Sequence, residues 1–143
     1  NKGHVEGVNA AEPTLVINSG TIINNYTTVK TDDGGVTTIN GGDIRGYVYH
    51  VGKKMTITGG LFSTNNGDMN VQVVKLNDNL NVADCYISGG TFETSGEVNI
   101  AAKGNPLIEI TGGRFNKQVP EEFIKAGYKQ TLVDGYYTVS KEE

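Results

Sequence analysis

Five six-residue windows of this chain repeat one pattern. An isoleucine is followed by a small polar residue, then a corner ending in glycine, then a large apolar residue two positions beyond the corner. The windows are Ile17-Asn18-Ser19-Gly20-Thr21-Ile22, Ile39-Asn40-Gly41-Gly42-Asp43-Ile44, Ile57-Thr58-Gly59-Gly60-Leu61-Phe62, Ile87-Ser88-Gly89-Gly90-Thr91-Phe92 and Ile110-Thr111-Gly112-Gly113-Arg114-Phe115. The leading isoleucines stand 22, 18, 30 and 23 residues apart. A unit of that size cannot bury its own apolar face, so a chain built from such units stacks them on one another.

Alternation before each corner gives the stacking a direction. Strand residues point to opposite faces in turn, so each leading isoleucine shares a face with the residue two before it. Those pairs are Leu15/Ile17, Thr37/Ile39, Met55/Ile57, Cys85/Ile87 and Ile108/Ile110, mostly apolar; the residues between and after them, such as Thr56/Thr58 and Glu109/Thr111, are mostly polar. The predicted core therefore has one column of Ile17, Ile39, Ile57, Ile87 and Ile110, and a second of Ile22, Ile44, Phe62, Phe92 and Phe115. The structural corners are Gly20, Gly41, Gly42, Gly59, Gly60, Gly89, Gly90, Gly112 and Gly113, where the chain turns sharply. Further strands over 47–51, 71–76 and 98–102 complete each turn of the chain.

The competing arrangement is an antiparallel meander with each glycine pair as a hairpin turn. The segments after Phe62 and Phe92 argue against it. They run into Ser63-Thr64-Asn65-Asn66-Gly67 and Glu93-Thr94-Ser95-Gly96, and so turn too soon to pair with the preceding strand. The fold expected is all-β: a single-stranded, right-handed parallel β-helix, or solenoid, of about five rungs. Successive rungs rise by roughly 4.8 Å, giving a stack about 20–24 Å tall. The longest interval, between Ile57 and Ile87, holds turn-rich stretches at 64–70 and 77–81, expected to emerge as loops on one side.

After Phe115 the repeat stops, which divides the chain into rungs over 1–115 and a cap over 116–143. Val119-Pro120-Glu121-Glu122-Phe123-Ile124-Lys125-Ala126-Gly127 predicts a short helix, with proline and acids in its first turn and glycine at its end. Tyr128 to Val133, Asp134-Gly135 and Tyr136 to Val139 predict a hairpin with a tight turn. Helix and hairpin together would cover the open edge of the last rung.

The passage from Ile110-Thr111-Gly112-Gly113-Arg114-Phe115 through Val119-Pro120, Gly127-Tyr128 and Asp134-Gly135-Tyr136-Tyr137-Thr138-Val139 resembles the closing motif of a β-helix family. Its repeats occur in large surface proteins of Gram-positive and gut bacteria, and similar ones occur in phage fibre and head-fibre proteins. The resemblance implies display on a cell or virion surface, structural support and adhesion to glycans. It carries over no catalytic residue.

Charge and composition narrow the remaining classes. The net charge is −4, and the basic residues are single except for Lys53-Lys54, so no stripe exists to track a phosphate backbone. No apolar run is long enough to span a membrane. With Cys85 as the lone cysteine, no disulfide closes within the chain. The start at Asn1, without initiator methionine or signal pattern, suggests a piece of a longer protein.

Parallel β-helices also house polysaccharide lyases and glycoside hydrolases, which need converging carboxylates or a carboxylate–metal cluster. The candidate acids are Asp32, Asp33, Asp43, Asp68, Asp78, Asp84, Glu93, Glu97 and Glu109, and they form no shared row: Leu61, Thr91 and Arg114 replace Asp43 in later repeats. Calcium is the metal the turns at Asp32-Asp33 and Asn65-Asn66-Gly67-Asp68 best suit, yet Asn and Asp are ordinary turn formers and no calcium-binding nonapeptide is present. His4 and His50 are expected as surface or packing residues and Cys85 as a small core residue. No catalytic residue, metal or cofactor is assigned. The tyrosines Tyr26, Tyr47, Tyr49 and Tyr86 form the candidate binding surface, either for sugar rings or for a partner subunit.

The function expected is a non-enzymatic structural and adhesive module of a surface fibre, extracellular or on a virion. Its partners are a host-surface glycan or protein receptor, with a homotrimer expected by analogy with phage fibres; neither nucleic acid nor membrane insertion is expected. The alternative is a polysaccharide-cleaving β-helix or its inactive remnant.

Overall fold

The computed structural model describes residues 13–31, 34–76 and 82–143, together with the backbone of Val5–Glu6. It is all-β, with curled sheets and no α-helix among the described residues. In chain order the strands are β1 (Val5–Glu6), β2 (Thr14–Ile17), β3 (Thr21–Thr31), β4 (Val36–Ile39), β5 (Asp43–His50), β6 (Lys54–Ile57), β7 (Leu61–Thr64) and β8 (Val71–Val74). There follow β9 (Asp84–Ile87), β10 (Thr91–Thr94), β11 (Ile100–Lys103), β12 (Ile108–Ile110), β13 (Arg114–Phe115), β14 (Tyr128–Val133) and β15 (Tyr136–Lys141).

Equivalent positions of successive repeats are direct register partners. The five-stranded sheet, in the order β12-β9-β6-β4-β2, is parallel throughout, and it pairs Ile17 with Ile39, Ile39 with Ile57, Ile57 with Ile87 and Ile87 with Ile110. Beyond the glycine corners a second parallel ladder runs through the ten-stranded sheet. It pairs Ile22 with Ile44, Ile44 with Phe62, Phe62 with Phe92 and Phe92 with Phe115. Strands β3 and β5 continue past a further bend and enter a third ladder, in which Val29 pairs with Val48, Val48 with Val71 and Val71 with Ile100. The larger sheet is mixed, because β15 joins β13 antiparallel and β14 joins β15 antiparallel.

The period of two decides what is buried. In β4, β6, β9 and β12 the inward positions are buried without exception, while the positions between them are half-buried or exposed. Leu15 departs from this, half-buried in the first strand of the sheet. The rings of Phe62 and Phe92 stack with centroids 4.6 Å apart, and those of Phe92 and Phe115 4.7 Å apart, both tilted by 7°. One vertical repeat thus sets both the backbone hydrogen bonds and the ring contacts.

Each glycine pair serves two needs, seen at Gly89-Gly90. A β-carbon on Gly89 would sit 2.2 Å from the Thr58 carbonyl oxygen of the repeat before it. Gly90 has φ +103°, a region that side chains resist. In the first window Ser19 stands where later repeats have the close-approach glycine, and among the described residues no earlier corner lies against it.

The cap differs from expectation in one respect. Instead of a helix over 119–127, only Glu121–Phe123 turns, as three residues of 3-10 helix. Two contacts hold the chain extended on either side. The Gln130 amide accepts from the Val119 N–H at 2.9 Å and donates to its carbonyl at 2.7 Å. Past the turn, Ile124 bridges Ile110 in parallel, and the Lys125 N–H donates to the Ile110 carbonyl. The hairpin is as expected: β14 and β15 close through Asp134 and Gly135, at φ +51° and +83°.

Candidate functional site

The bend between the second and third ladders is where the repeats stop being alike. Ile23 pairs with Arg45 and Thr27 with Tyr47. Asn24, Asn25 and Tyr26 therefore stand opposite the single Gly46. On the far side Arg45 pairs with Ser63 and Val48 with Val71, so residues 64–70 stand opposite only Gly46 and Tyr47. A short bend between two long ones leaves a notch of about 180 Å³. Its floor is Gly46, where a β-carbon would meet the Asn24 carbonyl oxygen at 2.4 Å and the Tyr26 carbonyl oxygen at 2.7 Å. Its walls are the Asn24–Asn25 and Asn65–Asn66 segments, tied across by a 2.6 Å hydrogen bond from the Asn66 amide to the Asn25 carbonyl.

Arg45 lines the notch and donates through Nε and Nη2 to Asp43 Oδ2, at 3.1 and 2.7 Å. That bond and the carboxylate charge raise the guanidinium pKa further above its ordinary value. Tyr26, beside the notch, is 67 % exposed, and its N–H donates to Asn24 Oδ1.

The four tyrosines of the candidate binding surface do not form one platform. Tyr47 and Tyr49 lie on the outward positions of β5, half-buried, just past Gly46, so Tyr26, Tyr47 and Tyr49 share the region of the bend. Tyr86 belongs to the five-stranded sheet, with the Lys54 ammonium 5.4 Å from its ring centroid.

Three of the candidate acids go to separate places. Asp43 pairs with Arg45, Glu109 lies 3.8 Å from Lys125, and Glu93 accepts from the Tyr136 hydroxyl, which raises the tyrosine pKa. Arg114 stacks over Tyr136 at 4.3 Å, so this last group joins the cap to β10 and β13. Among the described residues no three of His, Cys, Asp and Glu come together as a metal site. Asp32, Asp33, Asp78, His4 and the 77–81 stretch lie outside the described residues.

Two buried polar groups escaped the sequence reading. Asn70 and Asn99 are 0 % and 3 % exposed and bonded to each other at 2.8 Å. Asn99 also bonds Asn116 Oδ1 at 2.9 Å and accepts from the Lys117 N–H at 3.0 Å. His50 was expected as a surface or packing residue and is a fully buried one. Thr31 Oγ1 accepts from the N–H groups of Val51 and Gly52, so its own proton goes to His50 Nδ1 at 2.6 Å. His50 Nε2 then donates to the Asp84 carbonyl at 2.7 Å. Burial lowers the His50 pKa to about 4, against the opposing pull of that carbonyl. Cys85 is buried, which pushes its thiol up to about 12 and leaves it a core residue.

The notch was missed because it lies in no motif. The signal is a difference in length, Ile23 to Thr27 against Arg45 to Tyr47, legible only once the third ladder is aligned. Comparison with family models, with curated proteins and with solved structures finds no match to this chain.

Proposed function

We propose that this chain is a non-enzymatic structural and adhesive module: a single-stranded, right-handed parallel β-solenoid of about five rungs within a fibre on a bacterial or virion surface. The supporting observation is the register itself. Three parallel ladders join the same positions of successive repeats, so each repeat reads as one turn of a coil with three faces. Such a coil is stiff along its axis, because each turn is bonded to its neighbours along its strands. Three of the described candidate acids, Asp43, Glu93 and Glu109, are each engaged with a different basic or hydroxyl partner, which suits scaffolding more than hydrolysis.

Adhesion to host-surface glycans is the second half of the reading, supported by the tyrosines and amides gathered at the Gly46 bend. In the fibre the module acts as a spacer or tip, and a homotrimer is its expected assembly.

A glycan array probed with the purified protein tests adhesion, and sedimentation equilibrium tests the assembly. Binding to a defined set of glycans is the expected result. Release of reducing ends from a polysaccharide panel would overturn the non-enzymatic reading.

A further inference from the structure

The notch at Gly46 is built by the fold and has a chemistry of its own. Its floor admits no side chain, its two walls are tied together by Asn66 and Asn25, and its size follows from the short bend between long ones. We infer that the notch is a subsite for one neutral sugar residue with adjacent free hydroxyls, the terminal unit of a glycan. This inference rests on the adhesive reading and gives it a place and a ligand class.

Three features select that ligand. Asn25, Asn65 and Asn66 are exposed, and each amide offers a donor beside an acceptor, the arrangement an adjacent pair of hydroxyls needs. Arg45 lines the notch and, joined to Asp43 at 2.7 Å, adds a further donor whose charge is already balanced. Among the described residues that line the notch Arg45 is the one cation, and its pairing with Asp43 leaves little to offset the lost hydration of a carboxylate or sulfate on the sugar. Tyr26 follows the lining residue Asn25 in the chain and is exposed, an aromatic face within reach of the C–H face of a sugar ring held in the notch. The volume of about 180 Å³ is well below the roughly 300–1,000 Å³ of pockets for drug-sized ligands. One ring fits, and a longer glycan must run out along the outer face of β5 past Tyr47 and Tyr49.

The test is saturation-transfer NMR, with a glycan array carrying neutral, sialylated and sulfated termini, applied to the full chain and to Tyr26→Ala, Asn65→Ala and Tyr86→Ala. Tyr26 and Asn65 are exposed bend residues, and unchanged circular dichroism would show that their replacement leaves the fold intact. Neutral termini are expected to bind with Kd near about 1 mM. Tyr26→Ala and Asn65→Ala are expected to weaken this roughly three- to tenfold, and Tyr86→Ala to leave it unchanged. If both bend variants bind as tightly as the parent, the sugar lies elsewhere; the notch is overturned while adhesion stands. A preference for acidic termini overturns the ligand class. No binding by the parent to any glycan overturns the adhesive reading, and the notch falls with it.

Discussion

His50 sits between a hydroxyl whose proton is already directed at Nδ1 and a carbonyl that needs Nε2–H, so only the neutral ring completes the network. A second ring proton would face the Thr31 hydroxyl with no lone pair left to receive it. The consequence for stability has a definite sign. Above pH 6.5, the ordinary value, His50 is neutral whether the chain is folded or not, and its contribution is complete. Between 6.5 and about 4 the unfolded chain takes the proton and the folded one refuses it, so stability falls as pH falls. The total loss approaches about 3 kcal/mol, with about 2 kcal/mol gone by pH 5. Urea denaturation at pH 7.5 and 5.0, compared with His50→Gln, measures this; equal slopes for the two proteins would show that His50 is not the group responsible. The glycine corners make an equally local prediction. Gly89→Ala drives a β-carbon against the Thr58 carbonyl, which is backbone and cannot swing away, so a loss above about 2 kcal/mol is expected. Ser19→Ala, at the matching place in the first repeat, should stay within about 0.5 kcal/mol. Equal melting of the two variants would mean that the repeats do not approach so closely.

Between neighbouring elements the polar interior is bonded as regularly as the apolar one. Asn99 joins the bend before β11 to Asn70 before β8, and to Asn116 and Lys117 after β13. Asn99→Ala leaves several of those groups buried and unpaired, and a loss of about 2–4 kcal/mol is expected. Exposed Asn40, bonded to Asn18 Oδ1 and Thr58 Oγ1, should lose less than about 0.5 kcal/mol on the same change. Chemical denaturation separates the two cases, and faster exchange of the Lys117 amide in Asn99→Ala would locate the damage; a loss below about 1 kcal/mol would show the ladder to be dispensable. The contrast also marks how far the sequence could be read. Alternation places Ile39, Met55, Cys85 and Ile108 inside with no further information, because a strand with one buried face permits no other register. Asn70, Asn99 and His50 are buried because of partners contributed by segments distant in the sequence, which alternation does not encode. The segment 119–127 has good helix-start chemistry, yet the Gln130 amide and the Ile110 backbone hold its two ends apart, and tertiary bonds override local preference. Of the tyrosines, only Tyr26 proved broadly exposed, since the sequence distinguishes inward from outward positions but not how far neighbouring side chains cover the outward ones.

For the molecule as a whole the difficult surfaces are the ends of the ladders. A strand bonded on one side only invites a second copy to bond on the other. At the C-terminal end β15 lies antiparallel on β13, matching Phe115 with Tyr137 and Arg114 with Thr138. Val139 is buried against the core, and the Tyr136 hydroxyl reaches back to Glu93. Antiparallel closure has a physical point: a parallel strand there would offer the same open edge again, whereas a hairpin turns the ladder back on itself and leaves β14 outermost. The outer strand carries Lys129, a charge of the kind that blunts edge pairing. Removing residues 128–143 therefore exposes β13 and releases Val119 from Gln130, while the parallel ladders joining β2 through β12 keep all their bonds. The shortened chain should retain a β-sheet circular dichroism spectrum and associate end to end, with a sedimentation coefficient that rises with concentration more steeply than that of the full chain. Loss of the β signal would mean that the hairpin holds the fold together. An unchanged sedimentation profile, with the signal intact, would mean that β13 needs no cover and that the hairpin serves some purpose other than closing the stack.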